Sequence, residues 1–198
     1  MPKVLVLFHS RTGRTAAIAE AIARGAESVK FTEVELRRID DLEPQRLTDD
    51  ESTNARAAMA RKYRALESVE SLAQYDALII GSPARYGAMS AELKHTLDLA
   101  EALWRRGALV DKVASAFGSS DARVAGLEAH VASMIVALAH LGMIIVPPVT
   151  SGATAAAASA SDRDAAMVAA AEQQGARVAK VAEWVRHAKS HEAHGHKH

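Results

Sequence analysis

Val4-Leu5-Val6-Leu7-Phe8 is an unbroken apolar run, closed at once by His9 and the polar stretch Ser10-Arg11-Thr12-Gly13-Arg14-Thr15. A strand with one wet face alternates apolar and polar side chains, so a run without alternation has to be covered on both faces. Residues 77–80, 113–117 and 143–146 are further runs of this kind, whereas 31–38 alternates and predicts a less covered strand. Between the runs lie Ala-rich segments of helical period, at 15–28, 90–106, 128–141 and 162–189. Strands alternating with helices predict an α/β fold, a parallel sheet with helices on both faces joined by right-handed crossovers.

A chain of 198 residues fits one domain, and 49% apolar residues supply its core. With 24 basic and 24 acidic residues the formal charge is zero, which favours neither a nucleic-acid backbone nor an anionic membrane surface as partner. The absence of cysteine excludes disulfides, thiolate nucleophiles and Cys-ligated zinc or iron–sulfur centres. The start has no apolar stretch long enough for a signal peptide, and no run approaches the roughly 20 residues of a membrane span. The chain reads as cytoplasmic.

Residues 40–53 are polar and interrupted by Pro44, which predicts a loop; 54–72 are charged and helical in propensity, an outer helix and not a second domain. Residues 153–160 are of low complexity and predict a loop before the last helix. The domain is expected to span 1–189. Residues 190–198 close the chain as a His-rich polar tail, for which a frayed terminus is the reading adopted; no metal site is expected.

In an open parallel sheet, ligands bind beyond the carboxyl ends of the strands, where the strand order reverses. After the first strand, Gly13 permits a tight bend and Ser10, Thr12 and Thr15 offer hydroxyls. The helix beginning near Thr15 presents unpaired amides and its positive end, so an anion held at Ser10–Thr15 needs no lysine. An ordinary helix start with no ligand accounts for this segment equally well. The patterns G-x-x-x-x-G-K-[ST] and G-x-G-x-x-G are both absent, so neither ATP hydrolysis nor a standard nicotinamide Rossmann site is indicated. After the third strand, "GSPARYGAMS" (81–90) sets Pro83, Arg85 and Tyr86 between Gly81 and Gly87, able to edge a flat heterocycle or to form a plain turn. After the fourth, "GSSDARVAG" (118–126) is again short and polar. Together the three loops suit a flat ring system with a phosphate tail.

The first loop matches the flavodoxin phosphate pattern [ST]-x-T-G-x-T. The blocks "KVLVLFHSRTGRTAAIAEAIARGA", "YDALIIGSPARYGAMSAELKHTLD", "LWRRGALVDKVASAF" and "LAHLGMIIVPP" resemble, in order and spacing, the flavodoxin-like NAD(P)H:quinone oxidoreductases, the tryptophan-repressor-binding-protein-like flavoproteins. The resemblance covers most of residues 3–148. It implies a flavodoxin-like three-layer fold with a five-stranded parallel sheet in the order 2-1-3-4-5, FMN as cofactor, two-electron transfer from NAD(P)H to a quinone, and a homodimer or homotetramer with flavin sites at subunit boundaries. It further implies that Ser10, Arg11, Thr12, Gly13, Arg14 and Thr15 hold the phosphate. Pro83, Ala84, Arg85, Tyr86 and Gly87 border the ring system, with Ser119, Ser120 and Asp121 in the third flavin loop. Thr12 and Trp104 fall at the substrate side, and His140 matches the first histidine of "AHHG" and reaches the flavin region. No side chain need be a nucleophile, since flavin accepts the hydride. His140 and Arg85 are the catalytic candidates, Arg85 to stabilise negative charge on the reduced ring.

The chain departs from the family at four places. "SSDARVAG" stands for the usual "STG-x-x-x-G-G", Ala84 for a threonine, Leu141 for the second histidine, and the stretch from Val146 to Ser151 is much shorter. His9 stands where an aromatic residue is commoner and is read as packing; His95 and His130 show no ligand spacing. Two alternatives stay open on sequence: a non-enzymatic FMN electron-transfer protein, and a flavin-free structural or regulatory relative.

Overall fold

In a computed structural model, which describes residues 1–44, 50–119, 127–147 and 160–195, β1 (Lys3–Phe8) is buried from its second residue onward. Its side chains divide between two apolar layers. Val4, Val6 and Phe8 join Ile79 and Val113 under α1 (Arg14–Glu27) and α6 (Ala160–Gly195). Leu5 and Leu7 join Leu78, Ile80 and Ala114 under α3 (Ala91–Asp98), α4 (Glu101–Arg105) and α5 (Leu127–His140). The unalternating run is thus explained: both faces of the strand are core.

The remaining strands are β2 (Glu33–Arg38), β3 (Ala77–Pro83), β4 (Val113–Ser119) and β5 (Ile144–Ile145), and the five pair in parallel in the order β2-β1-β3-β4-β5. Chain order reverses between β1 and β3, which are hydrogen-bonded neighbours with Phe8 opposite Gly81. β2 is an edge strand with its inner residues only part-buried, as its alternation predicts. This is the three-layer flavodoxin-like arrangement.

Three expectations are corrected. β3 runs through Gly81 to Pro83, so Gly81 is a strand residue and not the start of a loop; a Cβ there would lie 2.2 Å from the Phe117 ring, so the position has to be bare for Phe117 to pack. The helix expected over 90–106 is two, because the Ala100 amide turns to the Leu97 carbonyl three residues back and tightens the chain between α3 and α4. The helix expected over 54–72 is α2 (Asp50–Lys62), which starts inside the predicted loop and stops early. Its successor residues hydrogen-bond to the end of β2, Arg38 donating to the Arg64 carbonyl and Leu66 to that of Arg38, before a 3-10 turn at Val69–Gln74. The last helix continues through Gly195, so the first residues of the His-rich segment are helical. Residues 153–159 of the low-complexity stretch lie outside the described residues.

α1 and α6 meet backbone to backbone. A Cβ on Gly25 would lie 1.9 Å from the Glu172 carbonyl oxygen, and one on Gly175 1.9 Å from that of Ile22. Buried Gln174 pins α6 to β4, its amide donating to the Ser115 hydroxyl (2.8 Å) and the Ala116 carbonyl (2.9 Å). This packing fixes α1, and with it the loop that leads into α1 from β1.

Candidate active site

β1, β3 and β4 all end at one edge of the sheet, and the loops that follow them meet there. Gly13 caps α1 at φ 88°, a left-handed conformation that suits glycine. Its amide donates to the Ser10 hydroxyl oxygen (3.2 Å), as does that of Ala16 (3.4 Å), so the loop curls back on its first residue. The Thr15 and Ser119 hydroxyls bond to one another (2.7 Å, both buried), joining the first loop to the end of β4. The Ala84 amide donates to the Ser119 carbonyl (2.8 Å), joining the β3 loop to the same point.

Between them is a small cleft of about 40 Å³ lined by Arg11, Thr12, Arg14, Thr15, Pro83, Ala84, Arg85 and Ser119. Every one of these residues was singled out in the sequence. The cleft combines hydroxyls, a helix N-terminus and cationic side chains at the point where strand order reverses, a donor set suited to a phosphate monoester. This is the fit that FMN requires of its phosphate site. Ser120 and Asp121 lie outside the described residues.

Arg85 and Ala88 exchange backbone hydrogen bonds (2.9 Å each) around a two-residue turn, with Tyr86 at φ 51° and Gly87 at φ 77°. Positive φ at both central positions is the type I′ hairpin turn, and at Tyr86 it holds a bulky residue in a rarely used conformation. The Tyr86 side chain is fully exposed, so the plain-packing reading of this residue fails within the chain. Arg85 is exposed beside it and has no carboxylate partner among the described residues.

His140 and Trp104 are not part of this arrangement. They line a separate cleft with Leu97 and Leu141, half-exposed in the case of Trp104. Two residues beyond His140, the Gly142 carbonyl accepts from the Asp111 amide, next to the start of β4. That is the opposite edge of the sheet, so within one chain neither residue reaches the first loop.

A buried charged network braces the first loop from below, and sequence reasoning missed it. His9, almost fully buried, hydrogen-bonds through Nε2 to Asp41 Oδ1 (3.0 Å) and turns Nδ1 toward Glu92 Oε2 (3.5 Å). Arg11 donates to Glu92 Oε1 (3.1 Å) and passes 3.8 Å from Asp41. The hydrogen bond from His9 holds the Asp41 carboxyl below its usual range, against burial and with help from the charges of His9, Arg11 and Arg56. Burial pushes Glu92 upward, but the charge of His9, its own backbone amide and Arg11 outweigh that, and it also lies low. The reading of His9 as a packing residue is therefore corrected. The available signal was a polar ring ending a fully apolar strand, which has to find a partner.

His130 is also fully buried, and its Nε2 lies 3.1 Å from the Ser82 hydroxyl, which in turn accepts from the Ser90 amide (3.1 Å). It thus ties α5 to both ends of the β3 loop. Burial pushes its pKa below the ordinary histidine value.

Residues 2–158 match the NADPH-dependent FMN reductase family. An NAD(P)H dehydrogenase (quinone) of Cupriavidus metallidurans is 38% identical over 146 residues, 74% of this chain and 70% of that one. Among solved structures, a flavodoxin, WrbA-like protein from Agrobacterium tumefaciens superposes with a TM-score of 0.60 at 23% identity, covering 93% of this chain and 99% of its own. The NAD(P)H:(acceptor) oxidoreductase FerB of Paracoccus denitrificans gives 0.58 at 18% identity, covering 94% and 98%. The fold and the strand order agree with these matches: the chain belongs to the NADPH-dependent FMN reductase family.

Proposed function

We propose that this protein is an FMN-dependent oxidoreductase that passes two electrons from NAD(P)H to a quinone in the cytoplasm. The observation that carries the reading is the meeting of the first loop, the β3 loop and Ser119 around one polar cleft at the point where strand order reverses. Its support comes from family membership and from the quinone-reducing relative.

When bound, FMN supplies the hydride acceptor and donor. The amides at the start of α1 and the hydroxyls of Ser10, Thr12 and Thr15 bind and orient the phosphate end. Arg85, on a turn of fixed geometry, stabilises negative charge arising on the ring side, and Tyr86 offers a rigid aromatic face beside it. Thr12 stands at the mouth of the cleft on the substrate side. Ser120 and Asp121, next in sequence after Ser119, are assigned to the ring side by the family resemblance alone. His140 and Trp104 act from a second copy of the chain, in a homodimer or homotetramer. Their separate cleft at the other sheet edge supports that assignment, since one copy alone does not bring them to the flavin loops.

The test is titration of the apoprotein with FMN and with riboflavin, followed by anaerobic NADH or NADPH and then benzoquinone. FMN should bind far more tightly than riboflavin, its visible band should bleach with the nucleotide, and the quinone should restore it. Equal affinity for the two flavins would remove the phosphate site; bound FMN that no nicotinamide nucleotide bleaches would remove the enzymatic reading.

A further inference from the structure

The helical course of the chain's end gives the histidines there a geometry that a frayed terminus lacks. His187 and His191 are four residues apart on α6, both exposed, with ring centroids 4.5 Å apart and planes at 54°. Residues four apart on a helix share a face, and two histidines at this spacing form the metal-binding pair of H-x-x-x-H motifs. Two imidazoles bound to one ion through bonds of about 2 Å have ring centroids roughly 4.5–5 Å apart, the larger value for tetrahedral zinc. The separation in the structure brings the two rings within reach of one ion by side-chain rotation alone.

The surroundings leave these rings available. Val178 and Ala182, which α6 buries against the sheet, lie on the opposite side of the helix from the two histidines at 3.6 residues per turn. The neighbouring cations are held elsewhere. Arg186 donates to the Met1 carbonyl (2.7 Å) and Asp76 (3.1 Å), and Lys189 to the Asp111 carbonyl (3.2 Å). No hydrogen bond or ion pair among the described residues engages either ring, so their nitrogens are free to act as ligands. Met1, Asp76 and Asp111 all stand at the amino ends of strands, so the pair lies at the sheet edge away from the flavin cleft.

We propose that His187 and His191 form a binding site for a borderline divalent transition metal, zinc, nickel or copper, with water completing its coordination. Imidazole suits these ions, and the absence of a carboxylate within the pair disfavours magnesium and calcium. The site is independent of flavin binding and stands whether or not the redox reading does.

The test uses the full chain and its variants H187Q, H191Q and H196Q/H198Q, titrated calorimetrically with zinc chloride and with magnesium chloride. Circular dichroism and FMN affinity serve as controls of integrity. Wild type should take up zinc and not magnesium, and H187Q and H191Q should each lose at least about tenfold in zinc affinity, because even second-sphere changes cost 10–100-fold. H196Q/H198Q should retain wild-type affinity, and FMN affinity should be the same in all four proteins. The proposal is overturned if wild type takes up no zinc, if H187Q and H191Q bind it as wild type does, or if H196Q/H198Q loses as much as they do.

Discussion

Glu92→Gln probes the charged network under the first loop with almost no change of shape. The glutamine keeps an acceptor for Arg11 but removes the negative charge that Arg11 and His9 share. Arg11 stays charged, so its bond to the glutamine oxygen remains one to a charged group, and what is lost on the Arg11 side is the attraction of the second charge, up to about 1 kcal/mol. The Arg11 side chain is 37% exposed while that of Glu92 is 6% exposed, so solvent screens one end and the upper limit does not apply. Partial loss of compensation for buried His9 adds to this, giving a destabilisation of about 1–2 kcal/mol. Arg11→Met should cost a similar amount, because it leaves Glu92 with one partner fewer. In the double variant both ends are gone, and the total should fall short of the sum by about 1 kcal/mol. Urea unfolding of the four apoproteins at neutral pH measures all three quantities. Costs that add to within about 0.3 kcal/mol would refute the coupling. Acid gives an independent check. Both Asp41 and Glu92 are depressed in the fold, so their contribution is present above the unfolded-state pKa and is lost as pH falls from about 5 through the folded values. Glu92→Gln should flatten that acid limb.

Gly25→Ala and Gly175→Ala should each destabilise the protein by about 1–3 kcal/mol in thermal melts, since the added methyl meets a backbone carbonyl of the facing helix that cannot rotate away. Gly13→Val should weaken FMN more than Thr12→Ala does, with riboflavin separating the two variants much less. The nearest atom to a Cβ at Gly13 is Met59 Cε at 3.6 Å, so the cost is the strain of positive φ, about 1–2 kcal/mol, and not a clash. For His130, burial depresses the folded pKa, so below about pH 6.5 the unfolded chain binds a proton that the native state excludes. Stability should therefore fall as pH drops from about 6.5, and His130→Gln should remove that slope in denaturant titrations at stepped pH.

The fold was legible because its signals are local. Each buried strand is an apolar run, each crossover an Ala-rich helical stretch, and the first loop's hydroxyls and glycine follow one another in a few residues. The residues lining the candidate site were legible to the same extent and no further. Arg11, Thr12, Arg14, Thr15, Pro83–Arg85 and Ser119 converge because parallel strands end together, which topology alone dictates. The His9 network was not legible, since its hydrogen bonds join residues 32 and 81 positions apart and the sequence around Asp41 and Glu92 looks like ordinary solvated polar chain. Gly81 was misread for a related reason: its lack of a side chain serves a ring on the neighbouring strand, and nothing near it in sequence records that. His140 and Trp104 were recognised by motif, yet motif spacing says nothing about which sheet edge a helix end reaches.

The network also bears on how the first loop can hold a dianion. Two arginines lie in Ser10-Arg11-Thr12-Gly13-Arg14-Thr15, although the sequence reading rests an anion there on hydroxyls and the start of a helix. In the fold Arg11 is engaged with Glu92 and lies near Asp41, so much of its positive charge is already matched below the loop. Its side chain acts there as a strut between β1, the segment after β2 and the first turn of α3. On the proposed reading the phosphate is left to the positive end of α1 and to the hydroxyls around it, groups whose usefulness depends on direction more than on charge. Direction is what a strut supplies. A loop of this kind needs a rigid base, and three elements far apart in sequence provide it through four side chains.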